Sequence, residues 1–236
     1  MTLTMKSVFP TAKDLAGLFD HTQLRPYAQQ KDFVTLCDES KRFGFKMVAI
    51  NSVQTAFCKQ LLRDTPIHVG AAISFPLGQT PIAVKRRETE QAIEDGADEI
   101  DYVIHIGKLK DKDYAYIQKE MQEIVSACRQ ANVISKVIFE NCFLTQEEKL
   151  ALCGIANQVG PDFIKTSTGF GTGGATVEDV RLMRENADER ILVKAAGGIR
   201  TLADAAAMYQ AGARRIGSTA SVKIMEEYNA KEGMSK

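Results

Sequence analysis

The stretch Ile191-Leu-Val-Lys-Ala-Ala-Gly-Gly-Ile-Arg-Thr-Leu-Ala-Asp204 decides the fold. It opens as a short apolar run, stops on a lysine, crosses a glycine pair and reaches a threonine with an acid three residues on. That last spacing is a helix N-terminal capping pair. The stretch therefore reads as a strand, a tight loop and the start of a helix. The same capping spacing recurs in Thr145-Gln-Glu-Glu148 and Thr176-Val-Glu-Asp179, and Thr80-Pro81 places proline at a first helical turn. Short apolar runs precede these starts. Strands are expected near Phe19–Thr22, Met47–Asn51, Val69–Phe75, Glu99–Ile106, Lys136–Asn141, Phe163–Ser167, Ile191–Ala195 and Arg215–Gly217. Amphipathic stretches lie between them, among them Lys31–Phe43, Pro81–Asp95, Tyr114–Ala131 and Gln146–Val159.

Strand–helix alternation implies parallel strands joined by right-handed crossovers. Eight such units in 236 residues fit a closed (β/α)8 TIM barrel of the α/β class, spanning 1–236 as one domain with a short N-terminal helix. A doubly wound open sheet is the alternative. It would place a glycine-rich loop after the first strand, where this chain has Thr22-Gln-Leu-Arg-Pro26.

Composition narrows the function classes. Hydrophobic content is 44% and charged content 25%, and thirty basic residues balance thirty acidic ones. No global field favours nucleic acid or an anionic membrane. No apolar stretch approaches the roughly 20 residues that span a bilayer, and Met1–Lys13 lacks the apolar core of a signal peptide, so the expected compartment is the cytoplasm. Five cysteines (Cys37, Cys58, Cys128, Cys142, Cys153) form no C-x-x-C pair and read as free thiols. His21, His68 and His105 are dispersed, which gives a zinc site little support.

Lysine is rarely buried, yet Asp162-Phe-Ile-Lys165 and Ile191-Leu-Val-Lys194 both end an apolar run on one. In Glu99-Ile-Asp-Tyr-Val-Ile-His-Ile106, alternation puts Glu99, Asp101 and His105 on one face, expected to point into the barrel. A crowded amine in a dry pocket loses its proton more easily, which is what a Schiff-base nucleophile requires. One lysine would attack a carbonyl while the other lowers its pKa and relays protons with Asp101. These residues alone do not say which lysine attacks. The competing reading is a structural ion pair between Asp101 and one lysine inside the barrel. The glycine pair after Lys194 and the run Ile216-Gly-Ser-Thr-Ala-Ser221 follow the last two strands, where barrel enzymes bind phosphate through free backbone N–H groups. The loop Thr166-Ser-Thr-Gly-Phe-Gly-Thr-Gly-Gly174 adds a third small-residue wall. Asp20 and Thr22 end the first strand, where a substrate-hydroxyl contact and a structural turn are equally open. His68 is expected at the face opposite the site, and Arg214-Arg215 reads as a solvated pair.

Phe163-Ile-Lys-Thr-Ser-Thr-Gly-Phe170, Val193-Lys-Ala-Ala-Gly-Gly-Ile-Arg-Thr201 and Gly96-Ala-Asp-Glu-Ile-Asp101 together resemble the deoxyribose-phosphate aldolase family. Asp20-His-Thr22, Phe75-Pro-Leu-Gly78, Gly173-Gly-Ala-Thr-Val-Glu-Asp179 and Arg215-Ile-Gly217 match in the same order. The resemblance implies a class I aldolase barrel without metal or organic cofactor. It would cleave 2-deoxy-D-ribose 5-phosphate to D-glyceraldehyde 3-phosphate and acetaldehyde in deoxynucleoside breakdown. It further implies Lys165 as the Schiff-base lysine, Lys194 as its pKa-lowering partner and Asp101 as the proton-relay acid. Asp20 and Thr22 would lie near the sugar hydroxyls, with Thr168, Gly169, Gly197, Gly198, Gly217 and Thr219 around the substrate and its phosphate. The expected partner is a small phosphorylated sugar, neither nucleic acid nor membrane, and a homodimer is one assembly open to the chain. The chain departs from the family at Ala49, where a cysteine is usual, at Ala196, at Ser218-Thr219, and at a C-terminus without the usual tyrosine. Rival readings are a class I aldolase acting on another phosphorylated aldehyde or ketone, a metal-dependent barrel lyase, and a barrel that only senses a metabolite.

Overall fold

A computed structural model describes residues 8–233. Eight parallel strands close into a barrel in sequence order: β1 (Phe19–Gln23), β2 (Met47–Asn51), β3 (His68–Ile73), β4 (Glu99–Val103), β5 (Ile134–Ile138), β6 (Phe163–Lys165), β7 (Leu192–Ala196) and β8 (Ala213–Ser218). The short helix α1 (Ala12–Ala16) precedes β1, held by a capping box between Thr11 and Asp14. The outer layer comprises α2 (Gln30–Phe43), α3 (Thr55–Leu62), α4 (Ile82–Glu94), α5 (Ile106–Lys110), α6 (Tyr114–Gln130), α7 (Gln146–Val159), α8 (Val177–Asn186), α9 (Leu202–Gln210) and α10 (Ser221–Gly233). The threonines at 145, 176 and 201 each accept from the N–H three residues on, as their spacing requires. The sequence reading missed α3 and α5, which are short and follow their strands almost directly.

Alternation divides each strand between two environments. Outward residues such as Val48, Ile50 and Val69 pack on α2 and α3, while Ile100, Tyr102, Val137, Ile164, Val193 and Ile216 join the main core under the remaining helices. The interior differs from the branched apolar filling that is usual for such barrels. Asp20, Glu99, Asp101, Lys136, Lys165, Lys194 and Arg215 are all buried there. Gly70 makes room: a Cβ at that position would sit 2.3 Å from Met47 Cε.

Three expectations need correction. Arg215 is not solvated. Parity turns Arg214 outward to solvent and Arg215 into the barrel, where it pairs with Asp20 and Glu99. β4 ends at Val103, so His105 leaves the barrel face it was expected to share with Asp101. It caps α5 instead, its Nδ1 accepting from Lys108 N at 3.2 Å. β5 begins at Ile134, two residues before Lys136, which moves that lysine from the strand's edge to its buried middle. His68 opens β3 at the end of the barrel opposite the strand C-termini, as expected. The C-terminal residues 234–236 lie outside the described residues. Tyr228, the nearest tyrosine, donates to Phe9 O at 2.8 Å.

Candidate active site

The register brings the predicted residues together. Lys165 pairs with Lys194 across β6 and β7, and Asp101 pairs with Lys136 across β4 and β5. Opposed positions on one face lie close enough for side chains to interact. Asp101 becomes the hub: its Oδ2 accepts from Lys165 Nζ at 2.8 Å and from Lys194 Nζ at 2.5 Å, and its Oδ1 from Lys136 Nζ at 2.5 Å. Lys194 also lies 2.5 Å from Asp20 Oδ2, and Lys136 lies 2.6 Å from Glu99 Oε2. Arg215 closes the ring through Nε, 2.7 Å from Asp20 Oδ1, and NH1, 3.2 Å from Glu99 Oε1.

A second buried pair behind β4 fixes the strand that presents Asp101. Lys85 Nζ donates to Glu120 Oε1 at 2.7 Å and to Val103 O at 2.6 Å, while Glu120 Oε2 accepts from His105 N at 3.0 Å. The chain leaving β4 is therefore bound at two backbone atoms.

These surroundings shift the ionisable groups. Burial pulls the Lys165 ammonium down from its ordinary value; Asp101 opposes this and Lys194 and Lys136 reinforce it, leaving the group at about 8. At pH 7 such an amine is neutral in about one molecule in ten, against roughly one in 2,500 for a free lysine. Asp101 moves the other way. Burial works against its charge, but Lys136, Lys165 and Lys194 outweigh it and hold the carboxyl well below the usual range. Lys136 is likewise penalised by burial, yet Asp101 and Glu99 raise it and keep it charged.

Lys165 and Lys194 reach a cleft of about 260 Å³ at the C-terminal end of the strands. Its walls include Thr22, Thr168, Gly169, Gly197, Gly198, Gly217 and Thr219 of the sequence-predicted set, together with Ala49 and Ala196. Asp20 is absent from these walls. It is fully buried, with both oxygens engaged by Arg215 and Lys194, because β1 places it one inward position below Thr22. A groove of about 700 Å³ runs between Val53 and Val84 on the outside of the barrel, but the buried charges converge on the smaller cleft.

One end of the cleft suits an anion. Gly198 has φ +79°, a conformation that glycine adopts without strain, and the N–H groups of Gly198 and Ile199 have no acceptor among the described residues. Ser218 Oγ donates to Ile199 O at 2.8 Å and fastens this loop to the one after β8. Arg25 and Arg200 stand exposed at the same mouth. On the other side, Glu140, in a left-handed conformation at φ +57°, accepts from Thr168 N at 3.1 Å and from the Thr168 hydroxyl, which holds the Thr168–Gly169 wall. The sequence reading did not foresee roles for Lys136, Arg215, Arg25 or Glu140. Strand parity was the signal available for Arg215, which it separates from Arg214.

The chain is similar to known aldolases over nearly its whole length. The family model described as DeoC/LacD family aldolase matches residues 15–227. A deoxyribose-phosphate aldolase of Lactobacillus acidophilus is 56% identical, with 92% of this chain and 91% of the relative covered. One from Thermococcus kodakarensis is 50% identical over 91% of this chain and 96% of its own length. Among solved structures, the tetrameric deoxyribose phosphate aldolase of Aeropyrum pernix superposes with a TM-score of 0.89 at 30% identity, covering 96% of each chain.

Proposed function

The chain belongs to the DeoC/LacD family of aldolases, and from that premise we propose that it cleaves 2-deoxy-D-ribose 5-phosphate through an imine on Lys165. The observation that carries this reading is the sharing of one Asp101 oxygen by two buried amines, at 2.8 Å for Lys165 and 2.5 Å for Lys194. Among the described residues Lys165 has only that one carboxylate oxygen, and it opens on the cleft.

In its neutral form Lys165 Nζ adds to the C1 aldehyde of the open-chain sugar, and loss of water gives a protonated imine. Deprotonation of the C3 hydroxyl then breaks the C2–C3 bond. The bond's electron pair moves into the imine to give an enamine, and C3 leaves as the aldehyde of D-glyceraldehyde 3-phosphate. Protonation of the enamine at C2 and hydrolysis of the imine release acetaldehyde and restore the amine. Asp101 is too strongly held as an anion to store the proton itself. It orients both amines from beneath, and Lys194, which lines the cleft, exchanges protons with the substrate. Thr22, Thr168 and Thr219 offer hydroxyls along the cleft, and Gly169, Gly197, Gly198 and Gly217 leave room for the sugar phosphate.

Borohydride reduction in the presence of 2-deoxyribose 5-phosphate, followed by peptide mass mapping, tests the assignment. The expected adduct is on the peptide containing Lys165. Labelling of Lys194 instead would exchange the roles, and no adduct on either lysine would remove the imine mechanism.

The phosphate handle is tested separately. Arg25→Ala combined with Arg200→Ala is expected to raise KM for the phosphorylated sugar about tenfold, while unphosphorylated deoxyribose changes little. Equal changes on the two substrates would place the phosphate elsewhere. Gly217→Val is a poor test, because a Cβ there would lie 3.0 Å from Ala196 Cβ and 3.3 Å from Lys194 Cε. It would disturb the amine and slow both substrates.

Self-association belongs to the same reading, given the tetramer formed by the Aeropyrum pernix relative, and native mass spectrometry measures it. No helix among the described residues is long and apolar enough to cross a membrane. A cytoplasmic role in deoxynucleoside breakdown fits this substrate.

A further inference from the structure

We propose that Lys136, which does not line the cleft, is a positioning residue that sets the charge balance of the barrel interior and thereby the pH at which Lys165 becomes nucleophilic. The inference rests on Lys165 being the imine-forming amine.

Every strand except β2 sends an ionisable group into the interior. They are Asp20 from β1, His68 from β3, Glu99 and Asp101 from β4, Lys136 from β5, Lys165 from β6, Lys194 from β7 and Arg215 from β8. β2 contributes Met47, whose Sδ lies 3.5 Å from Lys136 Nζ. His68 sits at the solvent end of the network. Lys46 Nζ lies 3.4 Å from its Nε2, and its Nδ1 lies 2.6 Å from Glu99 Oε1. Inside this solvent-end histidine the buried interior holds four basic side chains (Lys136, Lys165, Lys194, Arg215) and three carboxyl side chains (Asp20, Glu99, Asp101).

An unbalanced charge in a dry interior is costly, and release of one proton restores the balance. The cation with the weakest pairing gives it up. Lys136 has two carboxylate partners, at 2.5 and 2.6 Å. Lys194 has two, both at 2.5 Å, and Arg215 is shared between Asp20 and Glu99. Among the described residues Lys165 has Asp101 alone, at 2.8 Å, on the oxygen it shares with Lys194. Lys136 occupies the other oxygen of that carboxylate. It therefore weakens the one anion that holds the Lys165 proton, and it supplies the surplus cation.

The balance makes predictions of opposite sign. Lys136→Met leaves three cations against three carboxylates. Lys165 then keeps its proton longer, and the acid limb of the kcat/KM–pH profile is expected to move up by about one pH unit. Glu99→Gln leaves four cations against two carboxylates, and the limb is expected to move down by a similar amount. The double variant restores a surplus of one, and its limb is expected to return toward the wild-type position.

A merely structural pair would lower thermal stability and activity at every pH without moving the limb, so unmoved limbs, or shifts of the same sign in the two single variants, would overturn the proposal. If Lys136→Met does not fold, Glu99→Gln and the double variant carry the test, and failure of all three to fold would assign the pair to folding alone. Borohydride mapping of each variant separates the two levels. A label on Lys165 with an unmoved limb defeats only this proposal, whereas no label on wild-type Lys165 defeats the reading beneath it.

Discussion

Lys165→Met is expected to lower kcat/KM for 2-deoxyribose 5-phosphate by at least about 10⁴-fold, the largest effect of any single change in the cleft. Methionine keeps most of the volume and the unbranched shape of lysine, so the cleft survives without a nucleophile. The substitution removes the most weakly paired cation of the interior, and its carboxylate partner, Asp101, retains Lys136 and Lys194. The barrel should therefore melt near the wild-type temperature. That combination separates a chemical role from a structural one, because removing one partner of a needed buried pair would cost several kcal/mol of stability. The measurements are the steady-state rate, the thermal melt and the absence of a borohydride adduct. Turnover within tenfold of wild type would mean that another amine forms the imine.

Lys194→Leu is expected to give the second largest effect, a loss of about 10²- to 10³-fold at pH 7 with a profile displaced to higher pH. Two causes act together. Lys194 is among the charges that hold the Lys165 amine down, after burial and against Asp101, so its removal lets Lys165 keep a proton at neutral pH. Lys194 also bridges Asp20 and Asp101, and without it each loses an ammonium at 2.5 Å. The sign of the pH effect follows from the requirement for a neutral nucleophile: as the Lys165 pKa rises, the acid limb rises with it, and activity lost at pH 7 is partly regained at pH 9. An unmoved profile with near-normal turnover would leave burial alone as the cause of the depressed amine.

The sequence by itself determined the alternation of strands and helices, and with it the barrel. Capping pairs at Thr145, Thr176 and Thr201 act within a single turn of chain, so they are legible locally and reappear in the structure. Apolar runs that stop on lysine pointed to Lys165 and Lys194, and parity pointed to Asp101, because a charge set against an apolar run is conspicuous in one dimension.

What only the tertiary structure decided is the company these residues keep. Lys136 lies in Ile134-Ser-Lys-Val-Ile138, where a lysine among apolar residues reads equally well as facing solvent, and only closure of the barrel makes that face an interior. Parity separates Arg215 from Arg214, but only the closed barrel brings it the Asp20 and Glu99 carboxylates that let it stay buried. Asp20 ends up beneath the cleft because its carboxylate meets Lys194 and Arg215 from β7 and β8, more than 170 residues along the chain. Strand parity is a property of neighbouring residues and can be read from order alone. Charge balance is a sum over side chains that meet only when the last strand pairs with the first.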